Sequence, residues 1–212
     1  MSVRTLLFAV FGISLLGCGG SVGPGGAGQG AFATSVGGSL PLSHLTSAQA
    51  TQLCNDVTRA NAMTLKPTLC ASTNYSGALR STDAYHREYP TAADAELQTQ
   101  CSDVLGVLDQ DPSRCPDAAT CDPVYLADQP AACTATVADV ADCLNGNDAL
   151  YKEFLAATPA CDTLTASSLA AYVGPGGTFD SYSNASAMRS ASCTALVYCY
   201  GIYPINNTSP GS

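Results

Sequence analysis

The chain has 212 residues, with 8 Lys+Arg against 17 Asp+Glu and a net charge of −9. That balance argues against nucleic-acid binding and against an electrostatic hold on anionic lipid, since both need a basic face. Tryptophan is absent and there are 11 cysteines, so large aromatic anchors are scarce and cross-links are available to offset them.

From the N-terminus, Arg4 is followed by the apolar run Thr5 to Leu16. As a helix this run reaches about 18 Å, short of the ~20 residues a membrane span needs. It reads as a removable signal peptide over 1–17. The segment closes on Leu15-Leu16-Gly17-Cys18, which resembles the lipobox of bacterial lipoproteins. That resemblance implies cleavage before Cys18, a diacylglyceryl group on its thiol and an acylated amine. The alternative is an ordinary signal with a free cysteine near the cut. Several acyl chains, each CH₂ contributing about 0.8 kcal/mol, would hold the protein on a bilayer.

Residues 18–43 carry the anchor and then a glycine-rich run, expected as a flexible tether. No strand precedes the glycines and no Gly-Lys-Ser/Thr follows, so a phosphate loop is disfavoured. The folded domain is expected over 44–204, with a polar, frayed tail at 205–212.

Six helices are expected in the domain. Thr46-Ser47-Ala48-Gln49 fits a capping box, and Ala50, Leu53, Cys54, Val57 and Ala60 follow at helical spacing. Thr91 to Asp94 fits a second cap, with Leu97, Cys101, Val104, Leu105 and Leu108 behind it in the clearest amphipathic stripe. A third helix begins at Thr134, carries Val137, Val140, Cys143 and Leu144, and ends at Asn145-Gly146. A fourth runs from Asp148 to Ala157 with Leu150, Phe154 and Leu155 inward, forming an antiparallel hairpin with the third. A fifth starts at Thr163 or Thr165 and carries Leu164, Leu169 and Tyr172. A sixth spans about Ala185 to Tyr198. Segments 62–90 and 111–133 lack periodicity, and Ala71 to Ser76 reads as a short strand or extended loop. The run Thr46–Cys54–Cys70 echoes Thr134–Cys143–Cys161, either as a duplication or as two stapled hairpins.

With Cys18 given to lipid, an even set remains: Cys54, Cys70, Cys101, Cys115, Cys121, Cys133, Cys143, Cys161, Cys193 and Cys199. In an exported chain this reads as a disulfide framework. Ten cysteines admit about 945 pairings. Geometry favours Cys133 with Cys161, and Cys115 and Cys121 flank a short segment that a bridge between them could close as a small loop. Cys193 and Cys199 point to different faces if helical and then pair elsewhere.

Chemistry-bearing motifs are sparse. The histidines are His44, beside the tether, and His86, near Asp83. A serine hydrolase needs a histidine held between a carboxylate and a nucleophile, yet no Gly-x-Ser-x-Gly elbow occurs. No Cys-x₂-Cys, His-Glu-x-x-His or EF-hand pattern occurs, so neither metal nor cofactor is implied. Cys133-x₉-Cys143 is similar to half of a twin Cys-x₉-Cys hairpin and supports stapling alone. The glycosylation-like triplets at Asn74, Asn184 and Asn206 read as chance matches.

The fragments Cys133 to Leu144 and Leu45 to Cys54, with the lipobox and glycine run, resemble cysteine-rich lipoproteins of myxobacteria. The resemblance covers about a third of the chain and implies no activity. The expectation is an all-α, disulfide-stapled domain, anchored to the outer membrane through Cys18. Its leading role is non-enzymatic, binding an envelope protein partner through a tyrosine patch around Tyr198, Tyr200 and Tyr203, or serving as a structural component. The competing role is a small secreted hydrolase using His86 with a carboxylate.

Overall fold

The computed structural model describes residues 32–111, 115–180 and 191–204. Cys18, the expected signal peptide, the tail 205–212 and the triplets at Asn184 and Asn206 lie outside them. The fold is mostly helical: α1 (Ser47–Ala60), α2 (Lys66–Glu88), α3 (Asp94–Asp109), α4 (Pro123–Ala127), α5 (Val137–Ala157), α6 (Ala166–Val173) and α7 (Ala191–Ala195). Two short antiparallel strands, β1 (Ala119–Cys121) and β2 (Ile202–Pro204), pair Thr120 with Tyr203 and Cys121 with Ile202. This ribbon was not expected. Among the described residues no helix is long and apolar enough to cross a membrane.

Helix α1 begins as its sequence dictates. Thr46 Oγ1 accepts from Gln49 N, and Gln49 Oε1 accepts from Thr46 N at 3.0 Å, so two otherwise orphaned donors are satisfied. Ala50, Leu53, Cys54, Val57 and Ala60 are buried. The helix passes through a wide π-turn at Asn61–Leu65 into α2. Pro67 explains the turn: it has no N–H, and its ring displaces the carbonyl one turn back.

Residues 66–88, read as aperiodic, are one 23-residue helix, and Ala71 to Ser76 are neither strand nor loop. Its inward face is partly polar, which hid the period. Ser72, Ser76 and Thr82 bond back to the carbonyls of Leu69, Ser72 and Ala78, so these hydroxyls enter the interior already satisfied. Asn74, 5% exposed, donates to Asp109 at 2.8 Å. It is a packing residue tying α2 to α3 and is closed to glycosylation as folded.

Helix α3 buries Leu97 and Cys101, with Val104 and Leu105 packed against them. Its cap lies two residues beyond the expected Thr91: Ala93 is the N-cap, and Glu96 accepts from its N–H at 3.0 Å.

Helix α5 corrects the expected hairpin. It runs through Asn145-Gly146 without a break, and its cap is Thr136, bonded to Asp139, not Thr134. Val137, Val140, Cys143, Leu144, Asp148, Tyr151 and Phe154 make one continuous buried stripe. Tyr151 takes the inward place expected of Leu150. Asn145 does not cap a helix end because its amide is engaged elsewhere. It accepts from Phe32 N at 2.8 Å and donates to Phe32 O at 3.2 Å.

Phe32 corrects the tether boundary. Phe32, Val36 and Leu42 are buried in the same core as α1 and α5. Residues 32–43 therefore belong to the domain. Helix α6 starts at the cap Thr165 with Leu164, Leu169 and Tyr172 inward.

Five disulfides cross-link the fold: Cys54–Cys121, Cys70–Cys115, Cys101–Cys161, Cys133–Cys199 and Cys143–Cys193. Neither Cys133–Cys161 nor Cys115–Cys121 forms. Both pairings require local closure, whereas every bridge spans 45 residues or more. The echoed cysteines 54/70 and 143/161 are likewise not paired within their units. The core has two parts. One gathers α1, α4, the first half of α5, β1 and β2. The other gathers α3, α6 and the later parts of α2 and α5.

Candidate functional site

The junction of α4 with the C-terminal segment is the most distinctive surface. Asp122-Pro123 starts α4 by ordinary rules. The Asp122 carboxylate accepts from Val124 N at 2.9 Å, and Pro123 gives up no needed donor at the first position. That dipeptide is a helix-start signal, missed in a segment that lacks periodicity.

The C-terminal segment is drawn onto α4 by main-chain bonds. Asp122 N donates to Gly201 O at 2.6 Å. Gly201 has φ +85°, and a Cβ there would lie 2.5 Å from Leu126 N. Only glycine permits that approach. Gln129 closes the other side, donating to Tyr200 O at 2.7 Å and to Tyr125 O at 3.0 Å, and accepting from Tyr200 N at 2.9 Å. The disulfides Cys54–Cys121 and Cys133–Cys199 fix both halves.

The junction buries Leu126, Leu196 and Ile202 and leaves tyrosines outside. Tyr125, Tyr198, Tyr200 and Tyr203 are 58%, 65%, 51% and 45% exposed, with Val124 and Val197 also exposed. Rigid aromatic surface of this kind, apolar in body and polar at the tip, suits recognition more than solvation. Tyr198, Tyr200 and Tyr203 are thus exposed as expected. Tyr125 was missed because α4 was.

Asp83 and His86 do not pair with each other among the described residues. Asp83 pairs with Arg87 on the same helix, so its carboxylate is taken. His86 is half-buried, and its Nδ1 is buried without a hydrogen-bond partner. Among the described residues no hydrogen bond or ion pair joins this imidazole to a carboxylate or a hydroxyl. His44 is exposed. Among the described residues no cluster of three or more His, Cys, Asp or Glu could hold a metal.

One electrostatic site supports the junction from behind. Asp117 accepts from Lys66 Nζ at 3.0 Å and from Asn61 Nδ2 at 3.1 Å. Those two bonds, Lys66 first, hold its carboxyl below the usual aspartate range. Asn61 Oδ1 also accepts from Ala118 N at 2.8 Å and Ala119 N at 3.2 Å, so the π-turn at Asn61–Leu65 is what positions β1.

Comparison with family models, with curated proteins and with solved structures finds no match to this chain.

Proposed function

We propose that this chain is a lipid-anchored protein of the bacterial cell envelope that binds a protein partner through the tyrosine junction, without itself catalysing a reaction. The observation that carries the reading is the exposure of Tyr125, Tyr198, Tyr200 and Tyr203 on a backbone locked by disulfides and main-chain bonds. Rigid tyrosines lose little entropy when covered and are enriched at interface hot spots. Five disulfides accord with an oxidising compartment. The lipobox-like Leu15-Leu16-Gly17-Cys18 supports anchoring through Cys18, and Gly19, where an inner-membrane retention signal of the enterobacterial kind has aspartate, favours the outer membrane by analogy. With Phe32 inside the fold, a tether over residues 19–31 would hold the domain only about 20 Å from the bilayer.

Two measurements test the two parts. The intact mass of protein extracted from its membrane should lack residues 1–17, carry acyl groups on Cys18 and show no free thiol. An unlipidated mass with a free thiol would sink the anchor. For the binding role, a photo-cross-linking residue at position 198 should capture an envelope protein, and Tyr125→Ser with Tyr200→Ser should abolish that capture. Capture unchanged by both substitutions would refute the tyrosine junction as the interface.

A further inference from the structure

The tyrosine junction has a one-sided charge. Residues 115–135 and 193–204, which build it, contain Asp117, Asp122 and Asp128 and no Lys, Arg or His. Lys66, from the π-turn side, answers Asp117. Among the described residues the Asp122 carboxylate receives main-chain N–H groups alone. Asp128 is exposed and has no ion pair among the described residues. The faces of the four exposed tyrosines add electron-rich surface, because an aromatic ring is negative above and below its plane.

Resting on the partner-binding reading, we propose that the junction docks a basic polypeptide segment. Its Lys or Arg heads would lie over Tyr125, Tyr198, Tyr200 and Tyr203 and against Asp122 and Asp128. Charge complementarity is what selects this occupant. A second copy of the chain, meeting the junction by two-fold symmetry, would bring Asp122 and Asp128 toward their own counterparts, and like charges oppose such a contact. A neutral ligand could stack on the rings but would leave Asp128 desolvated without a partner.

The test uses the full mature, disulfide-bonded chain. The probe is a hexa-arginine peptide with blocked ends, with a hexa-glutamate peptide as control, followed by amide NMR shifts and by titration. Shifts should fall on residues 122–129 and 197–204. Tyr198→Ser with Tyr200→Ser should weaken binding about tenfold and Asp128→Asn about threefold. Asp103→Asn, at an exposed acid on α3, should leave it unchanged. The Tyr200 main-chain bonds do not depend on its side chain, and a near-ultraviolet spectrum checks that each variant is folded. Equal weakening by Asp103→Asn, or unchanged binding by the tyrosine variants, would mean diffuse charge attraction and overturn the inference. The cross-link from position 198 separates the two readings. A captured segment that is acidic, or a second copy of this chain, overturns the basic occupant and leaves partner binding standing. No capture at all removes both.

Discussion

Gln129 and Tyr200 exchange two hydrogen bonds: the side-chain amide donates to Tyr200 O at 2.7 Å and accepts from Tyr200 N at 2.9 Å. One side chain thus imitates a strand neighbour and extends the β1–β2 ribbon toward the end of α4. Gln129→Ala removes this pair and leaves Tyr200 N–H to water. Because Gln129 is half-exposed, water compensates in part, and the loss should be about 1 kcal/mol. Hydrogen exchange at Tyr200 N–H should quicken more than the global stability change accounts for. Unchanged exchange would show that the clamp does not order the segment.

Gly201 and Gly146 should respond to alanine with opposite signs. At Gly201 the backbone is left-handed and a Cβ would meet Leu126 N at 2.5 Å and Asp122 O at 2.6 Å. Gly201→Ala should destabilise by about 2 kcal/mol or more. At Gly146 a Cβ meets nothing within 4 Å, and the residue is an exposed position within α5. Gly146→Ala should stabilise by about 0.4–1 kcal/mol. If the helix instead ended at Asn145-Gly146, that alanine would destabilise. Urea unfolding of the two variants decides both points.

Phe32 is fully buried, and its main chain is held by Asn145. Phe32→Ala should lower stability by about 3–5 kcal/mol, and Phe32→Leu by about 1 kcal/mol. A true tether residue would give no change in the unfolding midpoint for either.

What could be read from the sequence was local. The capping box at Thr46-Gln49 and the helix start at Thr165 are short-range chemistry, and the stripe Leu97, Cys101, Val104, Leu105 has no rival reading. What escaped was set by contacts far along the chain. Asn145-Gly146 is a stop signal in isolation, but the buried stripe of α5 and the Phe32 contact override it. Residues 66–88 bury serine and threonine, whose back-bonds to the helix no hydrophobic pattern records. A pattern in the cysteines was present and unread. Cys54, Cys101 and Cys143 each sit about two turns after a helix cap, at Thr46, Ala93 and Thr136. Each joins a cysteine 67, 60 or 50 residues onward. These three cysteines lie on the buried faces of their helices, pointing at what packs there, and so pair with distant segments.

The five pairings are a prediction in themselves. Proteolysis under non-reducing conditions should release peptides joined as 54–121, 70–115, 101–161, 133–199 and 143–193, and mass spectrometry reads them directly. Replacing Cys143 and Cys193 together with Ser should destabilise by about 2–4 kcal/mol through the freed loop. It should also raise hydrogen exchange in α7 before that in α1. Finding 133–161 or 115–121 in the wild-type digest would overturn the fold's connectivity.

Tyr172 gives the fold an alkaline limit. Its side chain is 1% exposed, and its hydroxyl lies 3.1 Å from Ser76 Oγ. Burial raises its pKa, opposed in part by the neighbouring Ser76 and Thr158 hydroxyls and by the charge of Arg80. In the unfolded chain the phenol ionises near the ordinary tyrosine value of about 10. The folded state keeps its proton to higher pH, so the unfolded state loses protons first. Stability present below about pH 10 therefore falls as pH rises through the raised folded value. Tyr172→Phe should remove this part of the alkaline slope. It should lower the neutral plateau by about 1 kcal/mol for the lost hydrogen bond to Ser76. Urea midpoints from about pH 8 to about pH 11 check both. If the variant keeps the full alkaline slope, the limit belongs to another group, and Tyr172 is not the residue whose ionisation opens the α2–α6 contact.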